Sequence, residues 1–72
     1  MKITIEYCVV WNYFPKAASL AEAISNSTKN ADIEMIKSSG GAFEINKDGE
    51  LIFSKHKMGR FPEEEEIIQK VK

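Results

Sequence analysis

The residue best equipped for covalent chemistry is Cys8, the chain's one cysteine, placed where a strand-like run ends and a few residues before a helix begins. A thiolate is a nucleophile, and the amides at a helix start favour the ionised form, so this position predicts an accessible, reactive thiol. The competing reading is a small buried apolar residue that finishes a strand, a common fate of free cysteine. A lone cysteine forms no internal disulfide, and one Cys with one His cannot complete a zinc site without carboxylate help. Three residues on stands Trp11, and Val9, Val10, Tyr13 and Phe14 surround it. These form an apolar rim that either packs under a sheet or docks a protein partner at the Cys8 loop. Lys55, His56, Lys57 and Arg60 make a basic cluster. It reads as a hold for an anionic partner or as a solvated strand end, and nothing in the sequence orients His56 as a general base. Gly40–Gly41 either lets a backbone approach the Cys8 loop or forms a turn before a strand, and Glu63–Glu66 is a solvated acidic first helix turn.

The elements that hold these residues follow from periodicity. Lys2–Cys8 alternates Ile3, Ile5 and Tyr7 against Thr4, Glu6 and Cys8, which predicts a strand. From Pro15 the spacing of Ala17, Leu20, Ala21 and Ile24 is helical, and the helix should end within Ser25–Asn30, whose side chains compete for backbone hydrogen bonds. A second strand over Asp32–Lys37 completes a βαβ unit with parallel pairing. Ala42–Asn46 and Glu50–Lys55 then form a hairpin. A two-residue Asp48–Gly49 loop would pair Ile45 with Ile52. A three-residue loop with Gly49 left-handed pairs Ile45 with Leu51 and Phe43 with Phe53, and it is the expected register because it gathers the larger apolar side chains on one face. Lys57–Arg60 reads as a loop, and a final helix from Phe61–Pro62 to Lys72 lays Ile67, Ile68 and Val71 on the sheet. The order β-α-β-β-β-α predicts an α/β fold with a four-stranded mixed sheet and both helices packed on it.

Composition narrows the function classes. Seventy-two residues with 43% apolar and 29% charged side chains suit one domain spanning residues 1–72 and exclude a second. Ten basic and eleven acidic residues leave a net charge of −1, which removes the electrostatic footprint of a general nucleic-acid binder. No apolar run approaches a membrane span, and no signal peptide follows Met1-Lys2, so a cytoplasmic protein is expected.

The run Ile5-Glu6-Tyr7-Cys8-Val9-Val10-Trp11-Asn12-Tyr13-Phe14-Pro15-Lys16-Ala17 resembles the start of the selenoprotein W family, small thioredoxin-like proteins also called the Rdx family. Gly41–Ile45, Gly49–Lys55 and Gly59–Pro62 are similar to the rest of it, so the resemblance spans nearly the whole chain. It implies a thioredoxin-like α/β fold and a thiol or selenol redox protein acting on glutathione or protein thiols, with no metal and no bound organic cofactor. The family carries Cys-x-x-Cys or Cys-x-x-selenocysteine at this loop, which assigns the catalytic pair to Cys8 and position 11. Here that position is Trp11. An indole neither attacks a disulfide nor leaves as a thiolate, so the chain as written is expected to be inactive in two-sulfur exchange. The UGA codon that specifies selenocysteine differs from the tryptophan codon only in its third base, and Trp11 is read as standing for selenocysteine. Position 11 would then be the attacking atom and Cys8 the resolving thiol. The alternative is a redox-inactive thioredoxin-like binding module with Trp11 and its apolar neighbours as the partner surface.

Overall fold

Alternation in the first strand decides how the molecule is layered. A computed structural model describes all 72 residues. In β1 (Lys2–Cys8) the side chains of Ile3, Ile5 and Tyr7 are buried, while Thr4 and Glu6 are only half-buried on the other face. β1 pairs in parallel with β2 (Asp32–Ser38) and antiparallel with β3 (Phe43–Lys47), which pairs antiparallel with β4 (Glu50–Ser54). The order across the mixed sheet is β2-β1-β3-β4.

Helix α1 (Phe14–Ser27) has proline in its first turn and buries Ala17, Leu20 and Ile24. It stops where the polar run was expected to stop it: the Ser27 hydroxyl donates to the Ala23 carbonyl at 2.9 Å, and Thr28 N–H donates to the Ile24 carbonyl. Helix α3 (Glu64–Val71) starts later than the sequence indicated: Phe61 and Pro62 lie outside it, and the extended Glu63 precedes it, its N–H donating to the Glu66 carboxylate at 3.2 Å. Ile67 and Val71 are buried and Ile68 only partly so. Both helices share one core with Ile3, Ile5, Tyr7, Phe43, Ile45 and Phe53, and the Ser19 hydroxyl ties α1 to Glu64 of α3 at 2.8 Å. No helix is long and apolar enough to cross a membrane.

The hairpin departs from both expected registers. Its turn is two residues, with Asp48 at φ 51° and Gly49 at φ 88°, so Lys47 faces Glu50 and Asn46 faces Leu51. A bulge at Ile52 then places Phe53, not Ile52 or Leu51, opposite Ile45. The primed turn fits the strand twist, and the extra residue restores two large apolar side chains to the core face. Asp48 is held by β1: its carboxylate accepts from Lys2 N–H at 2.8 Å, and its own N–H donates to the Lys2 carbonyl at 2.8 Å.

The Lys57–Arg60 stretch is also not all loop. Lys55–Met58 forms a single helical turn, α2, in which the Ser54 hydroxyl accepts from Lys57 N–H at 3.3 Å. Gly59 closes it at φ 72°, with its N–H on the Lys55 carbonyl at 2.7 Å. That turn fixes where the basic residues point.

Candidate functional site

Between the end of β1 and the start of α1 the chain folds back on its own thiol. Cys8 N–H donates to the Ala42 carbonyl at 2.8 Å, and the Cys8 carbonyl accepts from Tyr13 N–H at 3.1 Å. Asn12 N–H donates to the Val9 carbonyl at 3.0 Å, with Asn12 itself in the left-handed region at φ 58°. The turn brings Trp11 N–H to 3.4 Å from Cys8 Sγ, to which it donates. The expectation of an accessible Cys8 is therefore corrected: the residue is fully buried, because the turn and the segment before β3 close over the strand end.

Position 11 has the opposite character. Trp11 is 67% exposed, Val10 83% and Phe14 50%, so most of the apolar rim faces solvent. Tyr13 is the exception. Half-buried, it packs edge-on against Phe61 with ring centroids 4.7 Å apart, and Phe61 in turn stands 5.3 Å from Phe43. Phe61, which the sequence placed at a helix start, is thus a support for the loop, and only its Pro neighbour signalled a place outside the helix.

The basic cluster divides. Lys55 and His56 line an opening of about 400 Å³ together with Trp11, Tyr13, Gly40 and Gly41. Lys57 lies instead in a groove with Leu51, Met58 and Lys70. Arg60 makes two 2.9 Å hydrogen bonds to the Glu66 carboxylate, which hold that carboxyl at about 2 against desolvation. Gly40 and Gly41 adopt φ 69° and 76° with open space where a Cβ would stand, so backbone conformation and not close approach calls for glycine there. A groove of about 330 Å³ between α1 and the Phe61–Glu64 segment contains no residue of the Cys8–Asn12 turn. No group of three or more His, Cys, Asp and Glu side chains converges as a metal site.

The arrangement has a chemical sense. A thiol sealed beneath a turn is closed to a bulky partner, whereas the side chain at position 11 of the same turn faces solvent.

Comparison with known proteins bears on the same stretch. The model of the Rdx family matches residues 2–72. Migration and invasion enhancer 1 of Bos taurus is 33% identical over 72 residues, covering 100% of this chain and 63% of the bovine protein. The protein of that name from Mus musculus is 33% identical over 70 residues, covering 97% of this chain and 61% of its own length. The chain thus spans about three fifths of the curated relatives it matches. Among solved structures, a selenoprotein W-related protein from Vibrio cholerae superimposes with a TM-score of 0.84 at 30% identity, covering 97% of this chain and 90% of that one. A Bordetella parapertussis protein gives 0.91 at 26% identity, covering 97% and 91%. The thioredoxin-like fold expected from the sequence is the one observed.

Proposed function

This chain belongs to the Rdx family, and on that premise we propose that it is a thiol or selenol exchange protein of the selenoprotein W type whose attacking atom resides at position 11 and whose resolving atom is Cys8 Sγ. The observation that carries the reading is the contrast within one turn: position 11 is 67% exposed, Cys8 is fully buried, and the position-11 N–H lies 3.4 Å from the Cys8 sulfur. In this mechanism the position-11 selenolate or thiolate attacks a partner disulfide, whose S–S bond breaks as one half leaves as a thiolate. Cys8 Sγ then attacks the position-11 atom, releases the second half as a thiol and closes an internal bond. Two electrons pass to the partner with the Cys8 proton, solvent protonates the first leaving thiolate, and two thiol equivalents restore the starting state. The partners are glutathione or protein thiols, and a reducing compartment such as the cytoplasm suits an unpaired cysteine.

Trp11 does none of this, so the reading takes it as standing for selenocysteine, whose selenol is largely ionised at neutral pH. The gene decides: UGA at codon 11 with a selenocysteine insertion element supports the assignment, and UGG in the chromosomal copy overturns it. At the protein level, Trp11→Cys should fold and form an internal disulfide with Cys8 under mild oxidation. Two free thiols persisting in the folded, oxidised variant would refute the exchange geometry.

The exposed Val9, Val10, Trp11 and Phe14 favour a second reading, a redox-inactive module that docks a protein partner through this rim. It gains if codon 11 is UGG and the Trp11→Cys variant keeps its thiols.

A further inference from the structure

The opening beside position 11 is biased in charge although the chain as a whole is nearly neutral. Its lining residues, Trp11, Tyr13, Gly40, Gly41, Lys55 and His56, include no acid. Lys55 is half-buried and forms no ion pair, in contrast to Lys2 and Arg60, whose carboxylate partners lie 3.1 and 2.9 Å away. Its ammonium is instead positioned by aromatic faces, 5.3 Å from the Phe61 ring centre and 5.7 Å from that of Tyr13. His56, the next residue, is exposed and adds an imidazole to the same wall. The N–H groups of Gly40 and Gly41 have no main-chain acceptor, and both residues line the opening. The wall therefore offers a cation, an imidazole and two amide donors, in a volume of about 400 Å³ that suits a small molecule.

We infer that Lys55, His56 and the Gly40–Gly41 amides form a carboxylate subsite, and that the exchange partner of position 11 is a low-molecular-weight thiol or disulfide bearing a carboxylate close to its sulfur. The inference rests on the exchange role proposed for position 11. A carboxylate seated on Lys55 brings the attached sulfur toward the atom that attacks it, so the subsite selects the partner by charge and positions it at once. Arg60 takes no part, being held by Glu66, and Lys57 faces another groove.

Two measurements test this. In Trp11→Cys, the rate of mixed-disulfide formation is followed with dithiodiglycolate, an anion, bis(2-hydroxyethyl) disulfide, which is neutral, and cystamine, a cation, each normalised to a free cysteine amide. The anion should be favoured over the neutral disulfide by about tenfold at low salt, and that ratio should collapse in molar salt or with Lys55→Gln and His56→Gln combined. Lys55→Arg should keep most of it. An anion-to-neutral ratio near one would overturn the subsite while leaving the exchange role standing; rates no faster than the free thiol with all three would overturn both. The second measurement uses the chain with Trp11 in place, where the single tryptophan lies in the opening and reports binding alone. Dithiodiglycolate should quench its fluorescence saturably and lose saturation in the Lys55→Gln, His56→Gln variant. Linear, non-saturating quenching equal for the anionic and neutral disulfides would also overturn the subsite.

Discussion

Cys8 should react slowly but not inertly, and the rate tells whether it can serve as a resolving thiol. The residue is fully buried beneath its turn, so alkylation requires the turn to open. Opening sacrifices three contacts: Tyr13 N–H to the Cys8 carbonyl, Asn12 N–H to the Val9 carbonyl, and Trp11 N–H to Cys8 Sγ. At about 1 kcal/mol each, the local opening costs about 3 kcal/mol. That corresponds to protection of roughly 100-fold relative to the unfolded chain, since 1.4 kcal/mol is tenfold. Global unfolding of a chain this size would instead cost about 4–11 kcal/mol and protect the thiol far more. The assay is iodoacetamide modification of the folded protein, with the urea-unfolded chain as the reference and mass spectrometry as the readout. Addition of sub-denaturing urea separates the two routes, because local opening exposes little surface and its rate barely responds. Labelling within a few-fold of the unfolded rate would show that the turn does not enclose the sulfur. Protection equal to the global stability, rising and falling with urea, would place Cys8 in the permanent core and leave it no way to resolve a mixed disulfide.

Three further expectations follow from the surroundings of the site. Glu66 has its carboxyl lowered to about 2, first by the Arg60 hydrogen bonds. Its contribution is therefore present above the unfolded value near 4.5 and lost as pH falls toward 2, so urea midpoints of the parent should drop more than those of Glu66→Gln across that window; parallel profiles would refute the pairing. Ser54→Ala removes the cap of α2 and the 2.8 Å hydrogen bond to Glu44, and should lower stability by about 1–3 kcal/mol in chemical denaturation. A change below about 0.5 kcal/mol would mean that α2 holds without its cap. Asp48→Ala should cost about 1–2 kcal/mol by the same measurement, through the lost Lys2 contact at a residue still held at φ 51°; Asp48→Gly loses the same contact but adopts positive φ without strain, and should cost less.

How much of this was legible depends on whether the signal was local. The β1-α1-β2 unit came through because Ile3, Ile5 and Tyr7, and then Ala17, Leu20 and Ile24, repeat with unmistakable periods. The hairpin register did not, because a bulge at Ile52 is a response to what Phe53 must cover and leaves no mark in the alternation of its own strand. Helix α2 is too short for a periodic signal, yet Ser54 and Gly59 stand at its two ends as ordinary caps, and those were the marks to follow. Cys8 falls in the register of Thr4 and Glu6, the half-exposed face, and its burial comes from Ala42 and the returning turn, residues remote or out of pattern. The motif drew attention to position 11, but that it lines one opening with Lys55 and His56 needed the fold.

With four strands in all, half of the sheet is edge, and each edge strand offers unpaired main-chain groups to any neighbouring molecule. The two edges are defended differently. On β4 the Ile52 bulge breaks the row of hydrogen-bonding groups, and the Lys70 ammonium donates to the Ile52 carbonyl at 2.9 Å, covering that carbonyl with a charge. On β2 the row is unbroken for seven residues, and protection rests on the outward Asp32, Glu34 and Lys37. Protection of the sheet edges is thus lodged in two separate devices. Neutralising Lys70, by acetylation for example, would open the β4 side to strand-to-strand association and leave the exchange turn untouched.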